Sequence, residues 1–398
     1  MARFRVLIAG GGVAALEAAL ALRRLAEDRV SIDLVAPEPR FWYRPLAVLE
    51  PFGGGRLHGI DLAELADQCG ALFTVDALAA VDSGTHVART AAGAEFDYDA
   101  LLVASGAKPV AAMTGAITFR GPADVSVFSR LLAELESGSL RRLVFALPGG
   151  VGWPLPLYEL ALQAAAFLDE RGLTDRDLTL VTHEDAPLAL FGAAASTSVS
   201  ELIERRRIGL HTGTYAMSFA DGLLALAPRG SIAADKVLAL PRLIGVPIDG
   251  VPHDKDGFIP TEPSGRVRGV DDVFAAGDAT AFPVKQGGLA AQQADAAAEA
   301  IAAAAGAPIE PEPFRPVLRG LLLTGEAPRF MRSDVGGGRG ETSVADVEAL
   351  WWPPGKIVGR YLAPFLAERA GLILTPPAEA VPVDTELTEA GIPSPGTA

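Results

Sequence analysis

The chain has 398 residues, with 49% hydrophobic and 21% charged side chains, 43 glycines and 30 prolines. That make-up is globular and large enough for two or three domains, and it excludes a fibrous or disordered protein. A net charge of −15, from 34 Lys and Arg against 49 Asp and Glu, repels phosphate backbones and anionic lipid and argues against a nucleic-acid binder. The single cysteine, Cys69, excludes an intrachain disulfide, a CxxC pair and a zinc cluster, and the five histidines lack metal-ligand spacing.

In chain order, Arg3 to Ala9 reads as a short buried strand ending in Gly10-Gly11-Gly12. Strong helix formers follow from Val13 to Leu20, then a second strand, Ser31 to Val35, which closes at Ala36-Pro37. Strand, glycine turn, helix and strand make one βαβ unit. Within it Gly10, Gly12 and Ala15 fit the GxGxxA spacing: a tight turn, close backbone approach to a pyrophosphate, and close helix packing. Val13 and Ala14 open the helix, whose N–H groups and dipole favour phosphate. An acid for the adenosine ribose belongs at the end of the second strand, but Ala36 stands there. Glu38 is the nearest candidate, and a solvated loop charge explains it as well.

A β-rich stretch then ends in Tyr98-Asp99 and Ala104-Ser105-Gly106. A second unit runs from the strand Arg142 to Leu147 through Gly149-Gly150-Val151-Gly152 and an apolar helix, Leu157 to Leu168, to the strand Leu178 to Thr182. It keeps two glycines of the spacing but has Leu155 at the third, while Trp153, Pro154 and Pro156 crowd the approach and remove N–H donors. Thr182 holds the acidic position, with Glu184 further on. The run Arg205-Arg206-Arg207 reads as the solvated end of a helix. Later come Ala276-Gly277-Asp278, then Pro283-Val284-Lys285-Gln286-Gly287-Gly288, and an alanine-rich helix from about Gly288 to Ala305. In the C-terminal block, Ile357-Val358, Tyr361-Leu362 and Phe365-Leu366 form a two-wide stripe that predicts a helix begun by Pro353-Pro354 and kinked at Pro364. It serves core or subunit packing, and Lys356, Arg360 and Arg369 are the only cations it offers to a lipid surface. The Pro-rich, acidic residues from 373 onward predict a disordered tail.

Together these motifs resemble the flavoproteins with two dinucleotide-binding domains, the pyridine nucleotide-disulfide oxidoreductase superfamily. The resemblance implies an α/β fold of two Rossmann-like domains, FAD- and NAD-type, in three-layer ββα architecture with a C-terminal domain. Its spans would be 1–118 and 239–306 for the FAD part, 119–238 for the NAD(P)-type part, 307–372 for a C-terminal cap and 373–398 for the tail. It implies that Gly10, Gly12, Val13, Ala14, Ala15, Leu78, Ala104, Ser105, Gly106 and Gly277 lie along FAD, and that Asp278 binds its ribityl hydroxyls. Pro283 to Leu289 is similar to the branch of sulfide:quinone oxidoreductases and type II NADH dehydrogenases. There the turn starts a helix whose N-terminus, with Lys285 and Gln286, faces the flavin edge where negative charge develops. Lys285 also reads as a solvated lysine. Arg44, in the aromatic segment Phe41 to Leu46, would contact pyrophosphate or flavin, or else make a surface ion pair.

The branch carries sulfur on paired cysteines, yet Trp153 stands where one is expected, and Cys69 lies in a polar helix-like stretch far from any flavin motif. The implied function is FAD-dependent electron transfer without redox cysteines, with the flavin itself as the catalytic group. The expected partner is a small redox molecule, of which quinone is preferred as acceptor. Two alternatives stand beside it: a type II NADH dehydrogenase-like enzyme that binds NAD(P)H despite the altered glycine turn, and a non-catalytic FAD-binding sensor. A homodimer fits the C-terminal stripe, and peripheral membrane contact has little positive charge to support it. No signal-peptide pattern and no uncharged 18-residue window occur, so a soluble, cytoplasmic protein is expected.

Overall fold

A computed structural model of the chain describes residues 3–54, 59–228, 230–334, 343–371 and 381–382. The tail expected from 373 lies outside these residues except for Val381–Pro382, which pair with Trp351–Trp352.

Two five-stranded parallel sheets organise the molecule. In the first, Val273–Ala275, Ala100–Val103, Phe4–Ala9, Val30–Ala36 and Ala71–Val75 lie side by side in that order. The second repeats the scheme with Ile117–Thr118, Lys236–Ala239, Arg142–Ala146, Asp177–Val181 and Gly209–His211. The first sheet therefore borrows an edge strand, Val273–Ala275, from a distant part of the chain. Antiparallel three-stranded sheets accompany them, at residues 78–97, 215–233 and 317–346. This is the expected α/β architecture of two Rossmann-like units with a C-terminal sheet.

Small side chains decide how the first unit packs. Helix Val13–Ala26 and helix Gly287–Ala304 meet through Ala14, Ala15, Ala18, Ala294, Ala297 and Ala298, all buried. Alanine costs no side-chain entropy and lets helix backbones lie close together. Gly10 has a positive φ of 145°, and a Cβ there would come within 2.1 Å of the Ala104 carbonyl oxygen. The turn can therefore close on the neighbouring strand only with glycine. At Gly12 nothing lies within 4 Å of a Cβ, so the open side of the turn is a free approach. No side chain caps the helix that follows, and its first amides have no intrahelical acceptor.

The C-terminal stripe folds differently from the helix expected of it. Only Leu362–Arg369 is helical, and residues 355–361 form an irregular strap. Gly355 and Gly359 weaken helix there, and fixed partners claim its amides. The Ile357 N–H donates to the Tyr43 hydroxyl at 2.8 Å, and those of Tyr361 and Leu362 donate to the Glu17 carboxylate at 2.8 and 2.7 Å. The three cations of this block are also not free for lipid: Lys356 is buried, Arg360 pairs with Glu299, and Arg369 pairs with Glu64. Of the run at 205–207, Arg205 and Arg207 are exposed at the helix end as expected, whereas Arg206 sits 11% exposed between Asp169 and Glu326.

Candidate active site

At the carboxyl ends of the first sheet, where ligands bind in open α/β folds, the sequence motifs converge. Gly10 donates its N–H to the Val35 carbonyl at 2.8 Å, and Ala104 donates to Ala9 at 2.8 Å, which fixes both turns on one edge. Gly12 and Ser105 are exposed there, and Gly106 has open space before it. Val13 is half-buried, while Ala14, Ala15 and Ala104 are buried. Gly277 packs against the methyls of Ala14 and Ala290, which brings the Asp278 turn onto the glycine turn. Leu78 packs half-buried against the cluster containing Ala9, Val35 and Val103. Glu38 is exposed just beyond the second strand.

A cavity of about 440 Å³ opens beside these turns. Arg44, Asp278, Lys285, Gln286 and Gly287 form one wall, and the rings of Phe119, Trp153, Phe258 and Phe282 form much of the rest. Asp278 is half-buried, and among the described residues no group donates a hydrogen bond to it. Loss of water pushes its pKa up, while the charges of Lys285 and Arg44 pull it back. Lys285 donates to the Thr280 carbonyl and lies 3.8 Å from the centre of the Phe258 ring. Burial lowers its pKa to about 8 against the opposing pull of Asp278 and Asp254. Lys285 is thus a buried-stem lysine set against an acid, not a solvated one. Gln286 spends its side chain on structure: its carboxamide oxygen accepts the Leu289 N–H at 2.8 Å and caps the long helix, and its NH2 donates to the Arg319 carbonyl at 3.2 Å.

The second glycine turn faces the same cavity, through Gly150, Val151, Gly152 and Trp153. Its fit to a dinucleotide is poor for two structural reasons. A Cβ at Gly152 would lie 2.3 Å from the Pro283 carbonyl oxygen, so this glycine serves close contact with the segment around Pro283. Glu184, the first acid after Thr182, is half-buried and accepts the Tyr158 hydroxyl at 2.7 Å and the Thr182 hydroxyl at 3.0 Å.

Sequence reasoning missed the opposite end of the cavity. Glu159 is fully buried and receives Lys356 Nζ on both carboxylate oxygens, at 2.6 and 2.7 Å, together with the Leu323 N–H at 2.9 Å. Lys356 completes its set on the Pro45 carbonyl at 3.0 Å. The one available signal was a lone acid inside an apolar helix, since a buried charge demands a partner.

Two parallel dinucleotide-type sheets, with an acid and a lysine beside the glycine turn of the first, define a nucleotide-binding oxidoreductase of the flavoprotein class. A model of the pyridine nucleotide-disulphide oxidoreductases matches residues 4–304, and the chain belongs to that family. FAD and NAD(P)H are the cofactors the family uses. Over 200 residues the chain is 30% identical to the 5,5'-dehydrodivanillate O-demethylase ferredoxin reductase subunit of Sphingobium sp. (strain NBRC 103272 / SYK-6), covering 48% of this chain and 44% of that one. Over 206 residues it is 27% identical to the sulfide-quinone reductase of Aquifex aeolicus (strain VF5), covering 50% and 47%. The chain thus spans about half the length of the curated relatives it matches. The solved sulfide:quinone oxidoreductase of Aquifex aeolicus shares the fold with TM-score 0.79 at 20% identity, over 96% of this chain and 99% of that one. No helix among the described residues is long and apolar enough to cross a membrane.

Proposed function

We propose that the chain is an FAD-dependent oxidoreductase that passes electrons from a small-molecule donor to a quinone without a protein thiol. The observation that carries this reading is the cavity itself: aromatic walls and no sulfur, beside an acid and a lysine at the cofactor turn. The residues fit the cofactor. Asp278, without a donor among the described residues, suits ribityl hydroxyls. Gly12 leaves room for pyrophosphate, and the uncapped helix after it offers amides. Arg44 adds positive charge on the cavity wall. Bound FAD supplies two-electron acceptance and delivery. The chain does the rest: Lys285 and the first amides of helix Gly287–Ala304 hold positive potential at one end, and the rings keep water out, which strengthens that potential. A flat, mainly apolar molecule suits such walls, as a quinone does.

Cys69 supports a thiol-free route. It caps helix Leu62–Gln68, is buried, and has a thiol pKa that burial pushes up to about 11, against the opposing charge of Arg23. A buried thiol of this kind is inert at neutral pH. The sulfide-quinone reductase likeness favours quinone as acceptor. The second reading, NAD(P)H as donor, is favoured by Gly150 and Gly152 on the cavity wall, and opposed by the engagement of Glu184. Anaerobic mixing of the FAD-loaded protein with NADH, NADPH, sulfide, thiols and quinols decides among them. The expected result is bleaching by a non-nucleotide donor and reoxidation by quinone, unchanged in Cys69→Ser. Rapid bleaching by NADH would favour the second reading, and a flavin that none of these reduces would make the chain a sensor.

The charge of Lys285 gives a pH test. The lysine is cationic below about 8 and neutral above it. Stabilisation of negative charge at the cofactor edge is therefore present at pH 7 and lost as pH rises through about 8. The rate of flavin reduction should fall across that range, and Lys285→Met should show the low rate at every pH. A wild-type profile flat from pH 6 to 10 would remove Lys285 from the reaction.

A further inference from the structure

The turn that presents Asp278 is short, Gly277–Ala279, and it does not hold itself in place through Asp278. Its fastening comes from the long helix behind it. Gln293, 7% exposed, accepts the Gly277 N–H on its carboxamide oxygen at 2.8 Å, and the Thr280 hydroxyl lies 3.4 Å from the same oxygen. That hydroxyl also donates to the Gly277 carbonyl at 2.9 Å, so both ends of the turn are closed. The neighbouring glutamine does a different task. Gln292 exchanges two hydrogen bonds with the backbone of Val317, both at 2.9 Å, and ties the C-terminal sheet to the helix. Gln286 makes the third tie, from the helix start to Arg319. Of the helix's two glutamines and its capping Gln286, only Gln293 bonds to the acid's turn.

We propose that Gln293 is a positioning residue for the cofactor: its acceptor oxygen fixes the Gly277 amide, and thereby the place and direction of the Asp278 carboxylate. The inference rests on the reading of Asp278 as a ligand of FAD. Every contact Gln293 makes with the turn uses its oxygen as acceptor. The chemistry therefore requires an acceptor at that place and does not require an amide. Glutamate keeps that oxygen, as carboxylate or as neutral acid, whereas leucine fills the same volume without it.

The test is FAD affinity of the apo-protein, measured by fluorescence quenching for the full chain, in a cycle of Gln293→Leu, Asp278→Ala and the double variant. Losing an acceptor for a buried N–H should weaken FAD binding roughly tenfold in Gln293→Leu. Gln293→Glu should retain most of the affinity. In the Asp278→Ala background, Gln293→Leu should change the affinity less than twofold, because a residue acting through Asp278 has nothing left to position. The same tenfold loss in both backgrounds, or unchanged affinity in Gln293→Leu, would overturn the proposal. Wild-type affinity in Asp278→Ala alone would overturn the cofactor reading beneath it. If Gln293→Leu does not fold, Gln293→Met, which also lacks the carboxamide oxygen, takes its place in the cycle, and its loss of affinity must likewise vanish without Asp278.

Discussion

Asp278→Ala is expected to yield a protein that folds but purifies without flavin, with FAD affinity reduced at least a hundredfold. Two hydrogen bonds to a charged acceptor are worth about 3 kcal/mol or more together, which sets that scale. The same substitution should act in the opposite direction on the apo-protein. Asp278 is a carboxyl withdrawn from water, and that burial raises its pKa against the opposing charges of Lys285 and Arg44. A group whose folded pKa is raised contributes stability below its unfolded pKa and loses it as pH rises through the folded value. The wild-type apo-protein should therefore give up stability above the ordinary carboxylate range, and the alanine variant should not. Thermal melts with and without FAD, at pH 4 and pH 7, read both effects. A variant that is colourless and also less stable as apo-protein at pH 7 would mean that Asp278 is structural.

Lys356→Met should be the most destabilising single change in the cavity wall. It would leave Glu159 fully buried with the Leu323 amide as its remaining donor among the described residues, and burial, which already raises its pKa, would then drive it to take up a proton. Removing one partner of such a pair costs about 3–5 kcal/mol. The companion experiment separates charge from packing. Glu159→Gln with Lys356→Met removes both charges and keeps an acceptor for the Leu323 N–H, so most of the lost stability should return. Denaturant midpoints of the two variants measure this directly. If the double variant is no more stable than Lys356→Met, the strap is held by packing of Lys356 and Ile357 and not by the ion pair.

What the sequence made legible is local. Gly10 to Ala15, Ala104 to Gly106 and Gly277-Asp278 each sit where a strand turns into a helix or loop, and the steric demands of a turn are written within a few consecutive residues. The alternation of strand and helix likewise carried the two-unit architecture. Glu159 and Lys356 meet across 197 positions, and nothing adjacent to either residue marks the other. The C-terminal stripe misled for a related reason. Its apolar pairs recur at helical spacing because a strap runs between two cores, with Ile357 against Gly287 and Val358 beside Trp351. Periodicity reports which residues are covered and is silent on whether a helix or a loop covers them. Gln286, Gln292 and Gln293 were visible as a motif, but their separate tasks depend on which carbonyls and amides the fold brings to them.

The borrowed edge strand of the first sheet sets an order of events during synthesis. When residues 1–118 have left the ribosome, four of five parallel strands and the glycine turn exist, yet Asp278, Lys285 and the helix that packs on Ala14 have not been made. The intervening 150 or so residues, with four of the five strands of the second sheet, must emerge first, and the Glu17 clasp waits for Tyr361 and Leu362. Until then the nascent chain carries an uncovered alanine face on helix Val13–Ala26, the kind of transient apolar surface that attracts chaperones. If Asp278 holds the cofactor as proposed, capture is one of the last steps in the life of a new molecule, and a chain ended before Asp278 would lack that ligand.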